Sequence, residues 1–283
     1  GIGGMGCSVA LGKNNTIHAV FGLAASDAFY MQKPANGNWT EPLVRGQGDP
    51  DVGVFSPELA TASDGSIHLV WSSKRLWYSF FDGKSWIHET IASPGGWHPD
   101  LSIDNNNIRH IIFNDASFLP TPTAGENTPS TVEVRYTFSK DGITWSNPIV
   151  VNTSDDLWTG DATINVHANG RRHVTFIRDA DLEGDLYYTY SDDGDAWIRP
   201  FKLNDNSSVP TGITGNESAA TLLDPFGNFY VVWQGIGKDG EWYIYLRWLS
   251  ATERKWSQSI VITNMKSGKS LGLGSNPSVQ HVT

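Results

Sequence analysis

Cysteine is almost missing from this chain of 283 residues: Cys7 is the only one, which excludes an internal disulfide and a cysteine-based metal cluster. Basic residues are also scarce, with 20 Lys and Arg against 30 Asp and Glu. The resulting formal charge of −10 argues against nucleic acid or an anionic membrane surface as a partner, because both need a basic footprint. No apolar run approaches the roughly 20 residues that span a bilayer, so membrane insertion is not expected. No window keeps the 3.6-residue apolar period of a long helix.

A unit of about fifty residues recurs five times along the chain. Each copy contains a short apolar strand, a Gly/Asn/Asp turn, a second strand that ends in an aromatic residue, and a later turn closed by tryptophan. The second strands begin at Ile17, Ile67, Ile108, Arg172 and Phe229. The closing tryptophans are Trp39, Trp86, Trp145, Trp197 and Trp256. Repeats of this length with four short strands each are typical of a β-propeller, whose blades bury their faces against their neighbours.

The predicted fold class is therefore all-β: a β-propeller with five recognisable four-stranded blades plus one strand of a sixth, in a single domain over residues 1–283. The predicted blades span about residues 7–45, 57–93, 99–153, 161–205 and 217–264. Residues 276–283 repeat the pattern of a first strand. Two interpretations stay open: a five-bladed ring to which this strand adds, or part of a propeller with six or seven blades. We favour the longer parent, since the last strand and residues 8–11 compete for one position.

Two turns between the third and fourth strands carry a motif with a clear physical role. Ser139-Lys140-Asp141-Gly142-Ile143-Thr144-Trp145 and Ser191-Asp192-Asp193-Gly194-Asp195-Ala196-Trp197 share the pattern Ser-x-Asp-Gly-x-x-Trp. In such a turn the carboxylate and hydroxyl bind the turn backbone, while the tryptophan packs between sheets. The pattern resembles the Asp-box, or BNR, repeat of sialidase-like propellers. That resemblance implies the fold, with the boxes away from the ligand face; the Arg-Ile-Pro segment of catalytic sialidases is missing here.

Candidate ligand residues are expected in the loops that precede the first strands and follow the second strands, because a rigid scaffold concentrates function there. Trp97, His98 and Trp158 lie where first strands begin, and exposed aromatic rings stack on the apolar faces of sugars. Arginines near strand ends could clamp a carboxylate bidentately. The predicted ligand-binding residues are Trp97, His98, Trp158, Arg178, Asp179, Glu217 and Arg75.

The most acidic stretch is residues 177–185, where Asp179, Asp181 and Asp185 alternate with other residues. Several oxygens converging on one centre suit Ca²⁺, so these three form a candidate calcium site, with a solvated acidic loop as the alternative. No other cofactor is expected. Histidines recur at one position of the repeat, which predicts a role in blade packing rather than in metal binding or catalysis. They are His18, His68, His110 and His173.

These observations favour a secreted or cell-surface Asp-box propeller that binds carbohydrate without turnover. Five Asn-x-Ser/Thr sequons are compatible with secretion; they are Asn14, Asn38, Asn152, Asn206 and Asn216. Two alternatives stay open. The first is an exo-acting carbohydrate enzyme, either a sialidase-like hydrolase or a polysaccharide lyase. The second is a structural surface or filament protein that assembles with itself through residues 276–283.

Overall fold

A computed structural model describes ten stretches of the chain. They are residues 4–23, 27–46, 54–73, 75–91, 96–115, 132–152, 159–178, 184–204, 219–236 and 242–264. Twenty β-strands and one 3-10 turn, Lys13–Asn15, make up the regular structure of these stretches. None of their helices has the length and hydrophobicity needed to cross a bilayer.

The strands form five four-stranded antiparallel sheets, each built from four strands consecutive in the chain. Sheet 1 contains β1 (Gly4–Leu11), β2 (Ile17–Leu23), β3 (Ala28–Lys33) and β4 (Leu43–Gly46). Sheet 2 contains β5 (Phe55–Thr61), β6 (Ile67–Ser73), β7 (Arg75–Phe81) and β8 (Trp86–Ile91). Sheet 3 contains β9 (Trp97–Ile103), β10 (Arg109–Asp115), β11 (Glu133–Ser139) and β12 (Ile149–Val150). Sheet 4 contains β13 (Thr159–Val166), β14 (Arg172–Arg178), β15 (Asp185–Ser191) and β16 (Phe201–Lys202). Sheet 5 contains β17 (Ala220–Leu223), β18 (Phe229–Ile236), β19 (Trp242–Leu249) and β20 (Ile260–Asn264).

The sequence prediction of five four-stranded repeats is thus confirmed. Two compact units contain these sheets: one of residues 1–118 with 135–149, and one of 119–134 with 150–283. That the whole chain forms a single closed domain stays a prediction. The predicted extra strand, 276–283, lies outside the described residues.

The four recurrent histidines have one structural role in common. Each lies on the second strand of its sheet, is buried, and shares a hydrogen bond between its Nδ1 and a tyrosine hydroxyl on the third strand. The pairs are His18–Tyr30 at 2.7 Å, His68–Tyr78 at 2.5 Å, His110–Tyr136 at 2.7 Å and His173–Tyr188 at 2.8 Å. Burial lowers the pKa of both His68 and His173 to about 3, so these rings stay neutral. The packing role predicted for this position is confirmed.

Three of the closing tryptophans, Trp86, Trp145 and Trp256, pack between sheets, as the sequence predicts, while Trp39 is exposed. In three cases the indole meets, edge to face, the tyrosine of the histidine–tyrosine pair in the preceding sheet, a favoured aromatic geometry. The ring pairs are Tyr30–Trp86 at 5.1 Å, Tyr78–Trp145 at 4.9 Å and Tyr188–Trp256 at 4.9 Å between centroids. The first two pairs lie in one compact unit and the third lies in the other.

The two aspartate turns have the same hydrogen bonds. Asp141 Oδ1 accepts from the backbone N–H groups of Ile143 at 2.8 Å and Thr144 at 2.7 Å, and from the Ser139 hydroxyl at 3.0 Å. These bonds to the turn backbone lower the pKa of Asp141 to about 2. Asp193 Oδ1 accepts the equivalent bonds in its own turn, from the backbone N–H groups of Asp195 and Ala196 and from the Ser191 hydroxyl. Both aspartates organise turns, as their sequence pattern indicates.

Candidate functional site

A β-bulge lies near the start of the first strand in four of the sheets. At each bulge one residue has a positive φ: Gly6 (106°), Ser56 (44°), His98 (46°) and Asp161 (49°). Three of these residues carry side chains, and a left-handed backbone is unfavourable for such residues. Where a protein keeps this strained conformation, the position is commonly functional. Bulges also redirect side chains beside active sites. We call this end of each sheet, where the first strand begins and the second ends, the bulge end.

The first strands of sheets 1, 2 and 3 approach one another at their bulge ends. A Cβ added to Gly6 would lie 3.3 Å from the Ser56 Cα, so this approach and the positive φ both require glycine. Ser56 Oγ and His98 Nδ1 are 3.1 Å apart and share a hydrogen bond. Two bulges on neighbouring sheets are therefore joined directly through their own side chains.

Two carboxyl groups follow these bulges, Glu58 on β5 and Asp100 on β9. Burial raises the pKa of Glu58 to about 8, and the negative charge of Asp100 adds to the shift. The Ser8 hydroxyl opposes it through a hydrogen bond to Glu58. Asp100 Oδ1 accepts a hydrogen bond from the backbone N–H of Leu101 at 2.8 Å. A protonated carboxyl beside a charged one can donate and withdraw protons at neutral pH, as acid and base pairs do.

Trp97 precedes the His98 bulge and is 55% exposed. It pairs across the sheet with Asn114, near the end of β10, and Asn114 is buried. The next residue, Asp115, is also buried and forms an ion pair with Arg135, with 3.3 Å between Oδ2 and Nε. An exposed aromatic ring therefore lies beside buried polar groups at the bulge end of sheet 3. We define the bulge site as Ser56, Glu58, Trp97, His98 and Asp100.

The structure brings together only part of the residue set predicted from the sequence. Trp97 and His98 lie in the bulge site. Arg75 is exposed at the start of β7, and no contact with that site is described for it. Arg178 lies in the other compact unit, with its guanidinium carbon 5.5 Å from the centre of the Tyr187 ring. Trp158, Asp179, Asp181 and Glu217 lie outside the described residues.

Asp185 was predicted as a calcium ligand, and its carboxylate already has two partners. Lys202 Nζ is 2.7 Å from Oδ1, and Asn204 Nδ2 donates to the same oxygen at 2.9 Å. Among the residues that the structure describes, no group of three His, Cys, Asp or Glu side chains is placed to hold a metal ion. Because Asp179 and Asp181 lie outside the described residues, a calcium site and a solvated acidic loop stay the two hypotheses for this stretch.

Glu58, Asp100 and Asn114 are candidate residues that the sequence prediction missed. A signal was available for the two carboxyl groups: Pro57-Glu58 and Pro99-Asp100 occupy the same position of the repeat. Asn114 gave no comparable signal, because its importance depends on burial and on the cross-strand pairing with Trp97.

Comparison with solved structures finds similar folds. A protein of unknown function from Dyadobacter fermentans aligns with a TM-score of 0.66 at 15% identity, over 92% of this chain and 83% of that one. A Hadza microbial sialidase aligns with a TM-score of 0.63 at 12% identity, over 91% of this chain and 58% of the sialidase. A thermostable family-43 glycoside hydrolase aligns with a TM-score of 0.55 at 13% identity, over 95% of both chains.

These similarities show the fold class, a β-propeller fold that the compared sialidase and glycoside hydrolase also have. The sheets described above correspond to blades of that fold, and the identities are too low to transfer an activity. No protein-family model and no curated protein sequence matches the chain.

Proposed function

We propose that this protein binds a glycan at the bulge site. The observation that carries the proposal is the exposed Trp97 ring, which precedes His98 at the bulge on the strand that also carries Asp100, whose charge acts on the carboxyl group of Glu58. An indole face stacks on the C–H face of a sugar ring. Carboxyl oxygens and the histidine and serine side chains supply hydrogen-bonding partners for sugar hydroxyls.

The compared proteins add support from outside the chain. Their names describe a sialidase, a family-43 glycoside hydrolase and an α-L-arabinanase from Penicillium chrysogenum complexed with arabinobiose. The last aligns with a TM-score of 0.56 at 14% identity, over 91% of this chain and 80% of that one. Carbohydrate is thus the ligand class common to these three compared proteins.

Titration calorimetry tests the proposal with a panel of oligosaccharides: arabinotriose, xylotriose, cellotriose and 3′-sialyllactose. We expect saturable binding of at least one of them, and a loss of about tenfold in affinity on Trp97→Ala, since the stacking platform is removed. Trp39→Ala is the matched control, because Trp39 is also exposed (44%) but lies between β3 and β4. Equal losses in the two variants, or no binding by the wild type, would contradict the proposal.

Glycoside hydrolysis is the second candidate function, and the raised pKa of Glu58 favours it. A carboxyl group protonated at neutral pH can donate its proton to a glycosidic oxygen, while the neighbouring charged carboxylate of Asp100 serves as base or nucleophile. The test is release of reducing ends from the bound oligosaccharide. If the wild type releases reducing ends and Glu58→Gln does not, although its affinity is retained, the protein is an enzyme rather than a binding protein without turnover. No release at any pH between 5 and 8 would exclude hydrolysis of that sugar.

Three further parts of the proposal concern the protein as a whole. Its assignment to the Asp-box proteins is supported by the matching turn bonds of Asp141 and Asp193. Secretion or cell-surface display is tested by locating the expressed protein in the medium or cell fraction. A sixth-blade strand at 276–283, which closes the ring or pairs with another molecule, is tested by deleting it. An unchanged melting temperature and an unchanged mass in solution would contradict both roles.

A further inference from the structure

Asn114 carries a buried polar atom without a partner. The residue is 4% exposed, and no hydrogen bond to its Oδ1 is found within the described part of the chain. A buried acceptor that lacks a donor is costly in a folded protein, so such atoms are few and need a specific explanation. A ligand that donates a hydrogen bond to this oxygen would provide that explanation.

The position of Asn114 points to that ligand. Asn114 on β10 lies directly opposite Trp97 on β9 in the antiparallel ladder of sheet 3. Residues paired in this way share one face of the sheet, with their Cβ atoms about 4.5–5.5 Å apart. The side chains of Asn114 and Trp97 therefore start from neighbouring positions at the bulge end, one buried and the other exposed.

The surrounding groups decide which kind of donor fits. Glu58 and Asp100 follow the neighbouring bulges, and Asp115 is adjacent in sequence. The guanidinium of Arg135 is engaged with Asp115 at 3.3 Å. Asp100 supplies the net negative charge of this end, because Glu58 stays protonated at neutral pH and Asp115 is paired with Arg135. Together with the vacant Asn114 acceptor, this charge favours a ligand rich in hydroxyl donors. A carboxylate-bearing sugar would meet repulsion there.

We propose that Asn114 Oδ1 accepts a hydrogen bond from a hydroxyl group of a neutral sugar residue that stacks on Trp97. This inference rests on the proposed glycan binding and adds the ligand class and a specificity-determining residue. Asn114 then selects sugars that present a hydroxyl group at this position, because a site built to bind a hydroxyl leaves its acceptor unpaired when that hydroxyl is absent.

The decisive variant is Asn114→Leu, which removes the acceptor and keeps most of the volume. Gln234→Leu is the matched control: Gln234 follows Trp233 on β18 as Asn114 follows Phe113 on β10, is also 4% exposed, and its Oε1 likewise has no partner among the described residues. We expect the two variants to change the melting temperature by similar amounts, since each removes an unsatisfied buried oxygen together with its amide nitrogen. Only Asn114→Leu should lower the affinity for the neutral trisaccharide that the wild type binds, by about fivefold to tenfold.

The outcomes separate this inference from the proposed function. If the trisaccharide binds, depends on Trp97 and is unaffected by Asn114→Leu, the glycan site stands and the role of Asn114 is overturned; an internal water would then satisfy its amide. Tighter binding of 3′-sialyllactose than of every neutral trisaccharide would also overturn it. If the wild type binds no sugar, both proposals fail. Should Asn114→Leu not fold, Asn114→Ala, which also removes the acceptor, provides the comparison, with Gln234→Ala as its control.

Discussion

Glu58 gives the sharpest prediction, because its ionisation links stability to pH. Its pKa is about 8 in the folded protein, against an ordinary value of 4.5. Below pH 4.5 the carboxyl group is protonated in both states, so it has no effect on the pH dependence. Between pH 4.5 and 8 it loses its proton only when the chain unfolds, so the free energy of unfolding falls as the pH rises. Above pH 8 both states are ionised and the fall ends.

The magnitude follows from the size of the pKa difference. Each pKa unit corresponds to about 1.4 kcal/mol of differential interaction, which sets an upper limit of about 5 kcal/mol for the whole fall. Because Glu58 keeps some exposure to solvent, we expect the free energy of unfolding to fall by about 2–4 kcal/mol over this pH range. Glu58→Gln should therefore unfold with nearly the wild-type free energy at pH 4.5 and be more stable than the wild type by that amount at pH 8.

The assay is urea unfolding followed by tryptophan fluorescence at pH 4.5, 6.5 and 8, for the wild type and Glu58→Gln. Only the difference between the two proteins is informative, because buried neutral His68 and His173 make stability rise with pH from about 3 to 6.5. Asp100→Asn is a further check, since removing that charge should lower the pKa of Glu58 and shrink the difference. A difference that stays constant over this pH range would refute the reasoning.

The remaining predictions concern parts of the chain outside the bulge site. Asp141→Ala and Asp193→Ala should each lower the melting temperature and leave sugar affinity unchanged, because both carboxylates bind turn backbone. Tyr188→Phe should lower the free energy of unfolding by about 1–3 kcal/mol, since it leaves the buried Nδ1 of His173 without its partner. Millimolar calcium should leave the melting temperature at its value in chelator, because Lys202 already neutralises Asp185.

Each of these predictions has a result that would count against it. Loss of sugar binding in Asp141→Ala at an unchanged melting temperature would give that turn a functional role. A fully stable Tyr188→Phe would show that ring packing, rather than the hydrogen bond, holds the pair. A calcium-dependent rise in melting temperature would favour the predicted metal site at 179–185.

The sequence predicts the sheets well because each repeat contains its own local signals. Asp82-Gly83 predicts a tight turn, and in the structure Asp82 Oδ1 accepts from two backbone N–H groups while Gly83 has a φ of 93°. The recurrence of histidine at one repeat position predicts packing, because four metal or catalytic sites in one small protein are implausible. Periodicity and turn chemistry suffice for these features.

The candidate site depends on relations that no local pattern records. The bulges at Ser56 and His98 have positive φ without glycine, so the sequence gives no sign of them. Their contact joins residues 42 apart in the chain. The pKa of Glu58 depends on burial and on Asp100, and the unpaired Oδ1 of Asn114 is visible only once the ladder opposite Trp97 is known.

The central claim is that the bulge site binds a neutral sugar on Trp97, and one measurement tests it most directly. In ¹H–¹⁵N spectra of the protein titrated with the neutral trisaccharide that it binds, the indole N–H signals of the 12 tryptophans report on all candidate platforms at once. We predict a saturable shift of the Trp97 indole signal, accompanied by the side-chain amide signal of Asn114. A saturable shift centred on other tryptophans, with Trp97 and Asn114 unmoved, would contradict the account.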